Sequence, residues 1–376
     1  MSEGVFSFQK LNKAISDGVI KASTPITDGQ VQPASMDLRL GPKAYRLVSS
    51  FLPEDKTVEE KLNSPGVYES DLKMYEVDLS DGAILERNSV YLIPLLESLN
   101  LPDNVGGKAN PKSTTGRLDI FTRVITDRNP RFDEIDKGYK GGLYLEVMPR
   151  SFTVKVKEGL SLVQLRLREG DSIISDNDLR ELNDKEKLLY DDGGVVPQDK
   201  VLIDNGIFMS ADLKGDERGI IAYKSRKNSH VVDLTKKNFY NIEDFWEPIY
   251  KNSKETLILE PEEFYILASL EKIRIPVNYA SDMAPYEASS GELRTHYAGF
   301  FDPGFGYGNE GEIEGTKGVL EVRAHDVPFM IAHGQKFCKL YFEKMCEVPE
   351  IAYGPKIGSS YQYQGITLSK QFKKPE

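Results

Sequence analysis

The chain has 376 residues, enough for two domains of ordinary size, each with its own hydrophobic core. Its formal net charge of -11 argues against nonspecific nucleic-acid binding, because such binding needs a basic face to neutralise phosphates. Any anionic ligand must therefore be held by a local basic pocket.

The sequence shows no targeting or membrane segment. Residues 1–6 lack the basic and apolar pattern of a secretion signal, and apolar residues nowhere run uninterrupted for the roughly 18 positions that suggest a membrane helix. We therefore expect a cytoplasmic protein that binds neither membrane nor nucleic acid.

The first half of the chain predicts many short strands and few helices. Residues 7–20 place apolar side chains at helical spacing, whereas residues 36–40 and 73–79 have the composition and alternation of strands. Further strands are predicted at residues 90–93, 120–125, 143–148, 152–156 and 160–167. This pattern predicts a mainly all-β fold, a β-sandwich or barrel-like jelly roll with a few short helices.

A helix is predicted at residues 175–190, where Ser175 precedes leucines on a polar background and can cap the first turn. The Asp-Asp-Gly-Gly run at residues 191–194 ends this helix. We expect the domain boundary there, which gives domains at residues 1–194 and 195–376.

The chain contains an internal repeat. Residues 85–102 align without gaps on residues 259–276, an offset of 174 (259 minus 85) at which Leu, Glu, Tyr and Pro coincide. At an offset of 175, Glu146 falls on Glu321. The sequence therefore predicts a tandem duplication of one fold.

Polar and basic side chains are concentrated at residues 110–117, which read Asn-Pro-Lys-Ser-Thr-Thr-Gly-Arg. Lys112, Ser113, Thr114 and Arg117 offer cations and hydroxyls that can bind phosphate oxygens through charge-assisted hydrogen bonds. The alternative is a strand end with solvated charges. We call residues 110–117 the phosphate loop. In the corresponding loop of the second copy, Glu292 replaces the arginine, and we expect that loop to be inactive because a carboxylate repels a triphosphate.

Four segments, in order along the chain, resemble the dCTP deaminase branch of the dUTPase-like family. They are residues 32–41, residues 112–117, residues 136–146 with the pattern Asp-x-Gly-Tyr-x-Gly-x-x-x-x-Glu, and residues 361–369. The resemblance covers nearly the whole chain. It implies two tandem dUTPase-like domains, the double-length form of the family.

The resemblance implies zinc-independent hydrolytic deamination of dCTP to dUTP and ammonia, which supplies dUTP for thymidylate synthesis. Mg²⁺ would be bound to the triphosphate rather than to the protein. Two alternatives remain open: a dUTP diphosphatase, alone or bifunctional, and a non-catalytic dUTPase-like protein that binds nucleotides.

The cysteines and histidines of the chain indicate whether the protein could bind zinc. Zinc-dependent nucleotide deaminases carry a His or Cys followed downstream by Pro-Cys-x-x-Cys, whereas Cys338 and Cys346 are the only cysteines here and form no such motif. The four histidines are not spaced as ligands on one element. We expect no metal ligands in the protein and no zinc.

The resemblance also implies roles for residues of both copies. Asp136 or Asp302 would hold the 3'-hydroxyl of the sugar, and His296 lies in the hairpin before Asp302 that would bind the pyrimidine. Glu146 or Glu321 would be the general base that takes a proton from the water attacking pyrimidine C4. The alternative for either glutamate is a structural strand carboxylate paired with an arginine.

Each copy departs from the family pattern in a different place. The spacing between Asp136 and Glu146 is intact, whereas residues 308–315 interrupt it before Glu321, and this favours Glu146 as the base. Conversely, the hairpin before Asp302 resembles the family's hairpin more closely than the corresponding segment of the first copy, residues 123–132, does. Both glutamates remain candidates.

Arg117 and Ser113 are predicted to take part in catalysis as well as in phosphate binding, Arg117 by keeping the glutamate ionised. The resemblance further implies that Tyr353, Tyr361 and Gln364 close over the nucleotide and exclude water. A frayed polar C-terminus is the alternative for this tail.

We expect a homo-oligomer, a trimer or a dimer. Single-copy relatives build their sites between subunits around a three-fold axis, and two alternating halves cannot fill three equivalent positions. Either three chains stack like halves in layers, or the two halves face each other and form a mixed site.

Overall fold

The computed structural model describes most of the chain, namely residues 3–63, 72–284, 293–295, 299–324, 326–354 and 361–374. Within these ranges no helix is long and apolar enough to cross a membrane.

Short strands dominate both copies. The strands of the first copy are β1 Gly4–Val5, β2 Ile20–Ala22, β3 Met36–Arg39, β4 Lys43–Leu47, β5 Lys73–Asp78, β6 Ala83–Leu85, β7 Val90–Asn100, β8 Val105–Pro111, β9 Ile120–Ile125, β10 Glu134–Ile135, β11 Lys140–Pro149, β12 Val154–Val156 and β13 Ser161–Glu169. Those of the second are β14 Leu189–Asp191, β15 Gly194–Val195, β16 Ile207–Ser210, β17 Ile220–Ser225, β18 Val232–Asp233, β19 Trp246–Tyr250, β20 Thr256–Leu259, β21 Phe264–Ile273, β22 Tyr279–Ala284, β23 Leu293–Thr295, β24 Phe300–Phe301, β25 Thr316–Ala324, β26 Phe329–Ala332 and β27 Lys336–Lys344.

Helices are few and short. They are α1 Phe8–Ser16, α2 Val58–Leu62, α3 Ser113–Gly116 and α4 Asp176–Glu186, with single 3₁₀ turns at Gln198–Lys200 and Ile242–Asp244. The hydroxyls of Ser7 and Ser175 cap α1 and α4 by accepting hydrogen bonds from backbone N–H groups of the first turn. The mainly all-β fold and the presence of both predicted helices are confirmed, but α4 ends at Glu186 and the last residues of the predicted helix belong to β14 instead.

Each copy contains two main antiparallel sheets. In the first, β1-β13-β8-β10 forms one sheet, with β3 beside β13, and β5-β4-β7-β11-β9 forms the other, with β2 beside β7. In the second, β16-β27-β22-β24 corresponds to the first of these, and the sheet containing β17, β21 and β25 to the other. Glu146 lies opposite Leu92, and Glu321 lies opposite Ile266, which is the matching position of the repeat. The duplication is therefore visible in strand register.

The two copies share part of their cores. Trp246, Phe264 and Phe372 of the second copy pack into the core of the first, beside Phe152. Strand β18 also pairs in parallel with β12 of the first copy. Strands and the C-terminal tail of the second copy therefore lie directly against the first copy, and the site described below lies where the two copies meet.

Helix α4 belongs by packing to the second copy. Leu179 and Leu182 are buried in the second core together with Ile207 and Leu340. The sequence placed this helix in the first domain, ahead of a boundary at residue 194, because the Gly-Gly run was the strongest local break. We propose instead that the boundary lies before α4, near residue 172.

Candidate active site

A cavity of about 250 Å³ lies between the two copies. The first copy lines it with the loop at residues 111–117 and with Asp37 and Gln164; the second copy lines it with Asp302, Glu321 and Tyr353, and the tail adds Tyr361, Gln364 and Lys370. Most of the residues predicted from the sequence to form the site are thus brought together within one chain.

The phosphate loop begins where β8 ends. Its backbone is fixed by the neighbouring strand, because Lys112 N–H and the Thr115 hydroxyl both donate to the Leu162 carbonyl, at 2.9 and 2.7 Å. The loop then forms the single turn α3, which directs Ser113 and Thr114 into the cavity. The Lys112 ammonium forms an ion pair with Asp37 at the cavity wall.

Glu321 reaches the cavity from strand β25 of the second copy. Its carboxylate lies so close to Gly116 that a Cβ added there would be 2.7 Å from Oε2. Any side chain at residue 116 would therefore displace the Glu321 carboxylate from this position. Two residues further along β25, Arg323 forms an ion pair with Asp119 of the first copy, which anchors the strand.

Burial dominates the electrostatics of Glu321. It raises the pKa of the carboxyl to about 8; the nearby Arg117 guanidinium opposes this rise, and Asp119 adds to it. A carboxyl with a pKa near neutrality, in a cleft, has the property expected of a group that exchanges protons.

Arg117 is buried and held by the tail. It donates to Gln364 Oε1 at 2.7 Å and to the Thr367 carbonyl at 3.0 Å, and its guanidinium carbon lies 3.8 Å from the centre of the Tyr361 ring. Its Nε is buried and has no hydrogen-bond partner among the described residues. The Nε–H is therefore a buried donor without an acceptor in the described part of the chain.

Asp302 is fixed by residues of the first copy. The buried Arg166 donates to Asp302 Oδ1 at 3.1 Å and to Glu343 at 3.2 Å, and the Ser35 hydroxyl lies 3.4 Å from Oδ2. Burial raises the pKa of Asp302, and the two donors oppose that rise. Arg166 was missed by sequence analysis because it lies in the middle of β13, without a local motif.

Glu146 and Asp136 do not line this cavity. Glu146 is buried and accepts hydrogen bonds from Arg123 Nε and Nη2 at 3.0 and 2.6 Å, and the Arg123 guanidinium stacks on Phe132 at 3.7 Å. Asp136 is exposed and forms an ion pair with Arg131 at 3.0 Å. Within this chain Glu146 thus has the arginine-paired environment that was the alternative interpretation.

Of the remaining predicted residues, one lines the cavity and the others lie outside the described part of the chain. Tyr353 lines the cavity, where its ring packs 5.4 Å from that of Phe305. His296 and the second phosphate loop, at residues 288–292, lie outside the described residues. Of the site residues that the sequence did not single out, Asp37 lies in the resembling segment at residues 32–41, whereas Gln164 and Lys370 carry no local signal.

The tail is packed rather than frayed. Leu368 and Phe372 are buried in the first core, and the Ser369 hydroxyl donates to the Thr114 carbonyl at 2.8 Å. The segment at residues 361–374 is therefore attached to the phosphate loop.

Comparison with known proteins shows which family the chain resembles. The model of the 2'-deoxycytidine 5'-triphosphate deaminase N-terminal domain matches residues 2–171, and that of the C-terminal domain of the same family matches residues 175–372. A crystal structure of 2'-deoxycytidine 5'-triphosphate deaminase from Agrobacterium tumefaciens is 43% identical with a TM-score of 0.84, and the match covers 93% of this chain and 100% of that one.

Shorter relatives match about half of the chain. A "dCTP deaminase, dUMP-forming" of Corynebacterium glutamicum is 30% identical over 53% of this chain and 96% of its own length. A "dCTP deaminase" of Ignicoccus hospitalis is 26% identical over 42% of this chain and 84% of its own length. The chain belongs to the 2'-deoxycytidine 5'-triphosphate deaminase family, in its tandem two-domain form.

Proposed function

We propose that this chain hydrolyses dCTP to dUTP and ammonia at the cavity between its two copies. The observation that carries this conclusion is the buried carboxyl of Glu321 against the phosphate loop of the other copy, in a chain of this family. The dUTP formed would feed thymidylate synthesis.

The chemistry needs one group that moves protons. In its ionised form, Glu321 takes a proton from water as the water oxygen adds to C4, and passes that proton to N3 of the ring. The second proton of the water then goes, through the same carboxylate, to the 4-amino group, which leaves as ammonia while C4 keeps the oxygen. Arg117 favours the ionised form because its positive charge lowers the pKa of Glu321.

The other cavity residues position the substrate. Lys112, Ser113 and Thr114 would bind the phosphates, and Asp302, held rigid by Arg166, would accept a hydrogen bond from the sugar 3'-hydroxyl. Glu146 keeps no role in this proposal, although the intact spacing to Asp136 favoured it in the sequence.

The assay that tests the proposal measures ammonia and pyrophosphate separately. Purified protein incubated with dCTP is expected to release one ammonia per dUTP formed. Absence of ammonia from dCTP, with nucleotide still bound, would leave the non-catalytic alternative.

A coupled activity is the second candidate, because relatives such as that of Corynebacterium glutamicum are named as dUMP-forming. Release of pyrophosphate from dUTP in the same assay would show a bifunctional enzyme. Release of pyrophosphate without ammonia would show a dUTP diphosphatase alone.

The pH dependence follows from the raised pKa of Glu321. Because the base must be ionised, kcat/KM for dCTP is expected to rise about tenfold per pH unit below pH 8 and to level off above it. Initial rates at low substrate concentration between about pH 6 and 9 measure this profile. A rate that is flat or falling over that range would contradict the assignment of an ionised Glu321 as base.

Metal dependence remains a prediction. Among the residues described, no three His, Cys, Asp or Glu side chains form a group that could hold a metal ion. We expect activity to survive chelation followed by excess Mg²⁺, which enters with the triphosphate, and elemental analysis to find no protein-bound zinc. Stoichiometric zinc would overturn the mechanism.

The oligomeric state also remains a prediction. The mixed geometry is formed within one chain, so a dimer or a monomer suits it better than layered trimers. A measurement of mass in solution decides between them.

A further inference from the structure

A second cavity adjoins the first. Asp37, Lys112, Thr114 and Lys370 line both, and the second continues to Lys237. Glu321 and Asp302 line only the first cavity. The second cavity therefore lies on the side of the phosphate loop that is away from the proposed base.

The backbone around Lys370 is held in place by its neighbours. Asn238 N–H donates to the Lys370 carbonyl at 2.9 Å, and Gln371 Nε2 donates to the Leu234 carbonyl at 3.3 Å. On the other side, the Ser369 hydroxyl is bonded to the phosphate loop at Thr114. The tail, the segment at residues 232–240 and the loop are thus joined, and Lys370 and Lys237 are brought to one cavity.

This cavity carries a surplus of positive charge. Lys112, Lys237 and Lys370 line it with a single carboxylate, Asp37, which is already paired with Lys112. Burial lowers the pKa of Lys370, and the charges of Lys112 and Lys237 lower it further. Lys237 and Lys370 form no ion pair within the described part of the chain. Like charges that converge without counterions destabilise the protein unless an anion binds between them.

We propose that Lys370 and Lys237 bind the terminal phosphates of the nucleotide, so that the site extends from the phosphate loop onto the tail and the segment at residues 232–240. The proposal rests on the proposed function for the orientation of the nucleotide, with the base at Glu321 and the phosphates passing Thr114. It adds a recognition role to residues outside the loop and explains why the tail is packed onto it.

The test uses Lys370→Gln and Lys237→Gln in the full chain, with Lys236→Gln as a matched control. Lys236 is next in sequence to Lys237 but lines neither cavity, and its ammonium lies over the Phe239 ring. Isothermal titration with inorganic tripolyphosphate measures phosphate binding without turnover, and steady-state rates with dCTP and dCDP give KM and kcat.

Each of the two variants is expected to weaken tripolyphosphate binding and to raise KM for dCTP about ten- to a hundredfold, because a charge-assisted phosphate contact is lost. The value of kcat should stay near that of the wild type, the effect on dCDP should be smaller, and Lys370→Arg should restore binding. The control should match the wild type in every measurement.

The outcomes separate this inference from the proposed function. Variants that bind tripolyphosphate and dCTP as the wild type does would overturn the inference, while a wild type that releases ammonia from dCTP would keep the function. If the wild type binds tripolyphosphate but releases no ammonia from dCTP, and either lysine variant loses that binding, the proposed function is refuted and the phosphate site is supported. A variant that unfolds is replaced by the arginine variant, which must then bind normally.

Discussion

Glu321→Gln is expected to lower kcat for ammonia release from dCTP on the order of 10²-fold or more, because the amide cannot take a proton from water. The substitution keeps the size of the side chain and its fit against Gly116. Since burial raises the pKa of Glu321 from 4.5 to about 8, the folded protein already favours the neutral form at neutral pH. The neutral amide should therefore not destabilise the fold, and thermal unfolding checks this.

Glu146→Gln is the matched control for that substitution. Its amide oxygen can still accept the hydrogen bonds from Arg123, and the residue lies outside the cavity, so turnover should stay close to that of the wild type. Loss of turnover with Glu146→Gln and normal turnover with Glu321→Gln would reverse the assignment. Normal turnover in both variants would refute the role of either glutamate as base.

Arg117→Glu is expected to abolish turnover. The new carboxylate repels the triphosphate, places a second negative charge beside Glu321 and loses the bonds to Gln364 and Thr367. It also recreates the residue that Glu292 supplies in the second copy. Rates with dCTP measure the effect.

Burial makes a second variant necessary for this test. Arg117 is only 3% exposed, so the reversed charge is buried and would also destabilise the fold. Arg117→Gln avoids a buried charge and should still lose most activity. Arg131→Glu, an equal change of charge at an exposed arginine, should leave the rate unchanged. Near-normal activity in a folded Arg117 variant would refute the role of the loop.

Local patterns in the sequence predicted most of the fold. Residues 120–125 were predicted as a strand and form β9 with those bounds, and the capping serine located α4. The position of a short strand or of a helix start depends on residues close by in the sequence, so periodicity and capping residues predict it directly. The loop at residues 110–117 was predicted as a phosphate site for the same reason, because its cations and hydroxyls lie within eight residues.

The choice between the two glutamates depends on contacts that local spacing does not describe. Glu146 and Glu321 hold the same register in equivalent strands, so their surroundings alone distinguish them. Arg123 lies opposite Glu146 on β9 and forms an ion pair with it, whereas Glu321 faces the phosphate loop of the other copy. The intact spacing from Asp136 to Glu146 reflects the length of a turn and a strand. It does not predict which loop the Glu146 side chain faces.

The central claim is that one chain supplies both halves of its site, and mixing two inactive variants tests it most directly. Arg117→Gln chains, which carry no buried charge of the wrong sign, and Glu321→Gln chains are co-expressed, purified together and assayed for ammonia release from dCTP. If the loop and the base act within one chain, every chain lacks one of them, and we predict a rate no higher than that of either variant alone. A rate restored to a substantial fraction of the wild type would show that the site forms between chains, and would contradict the account.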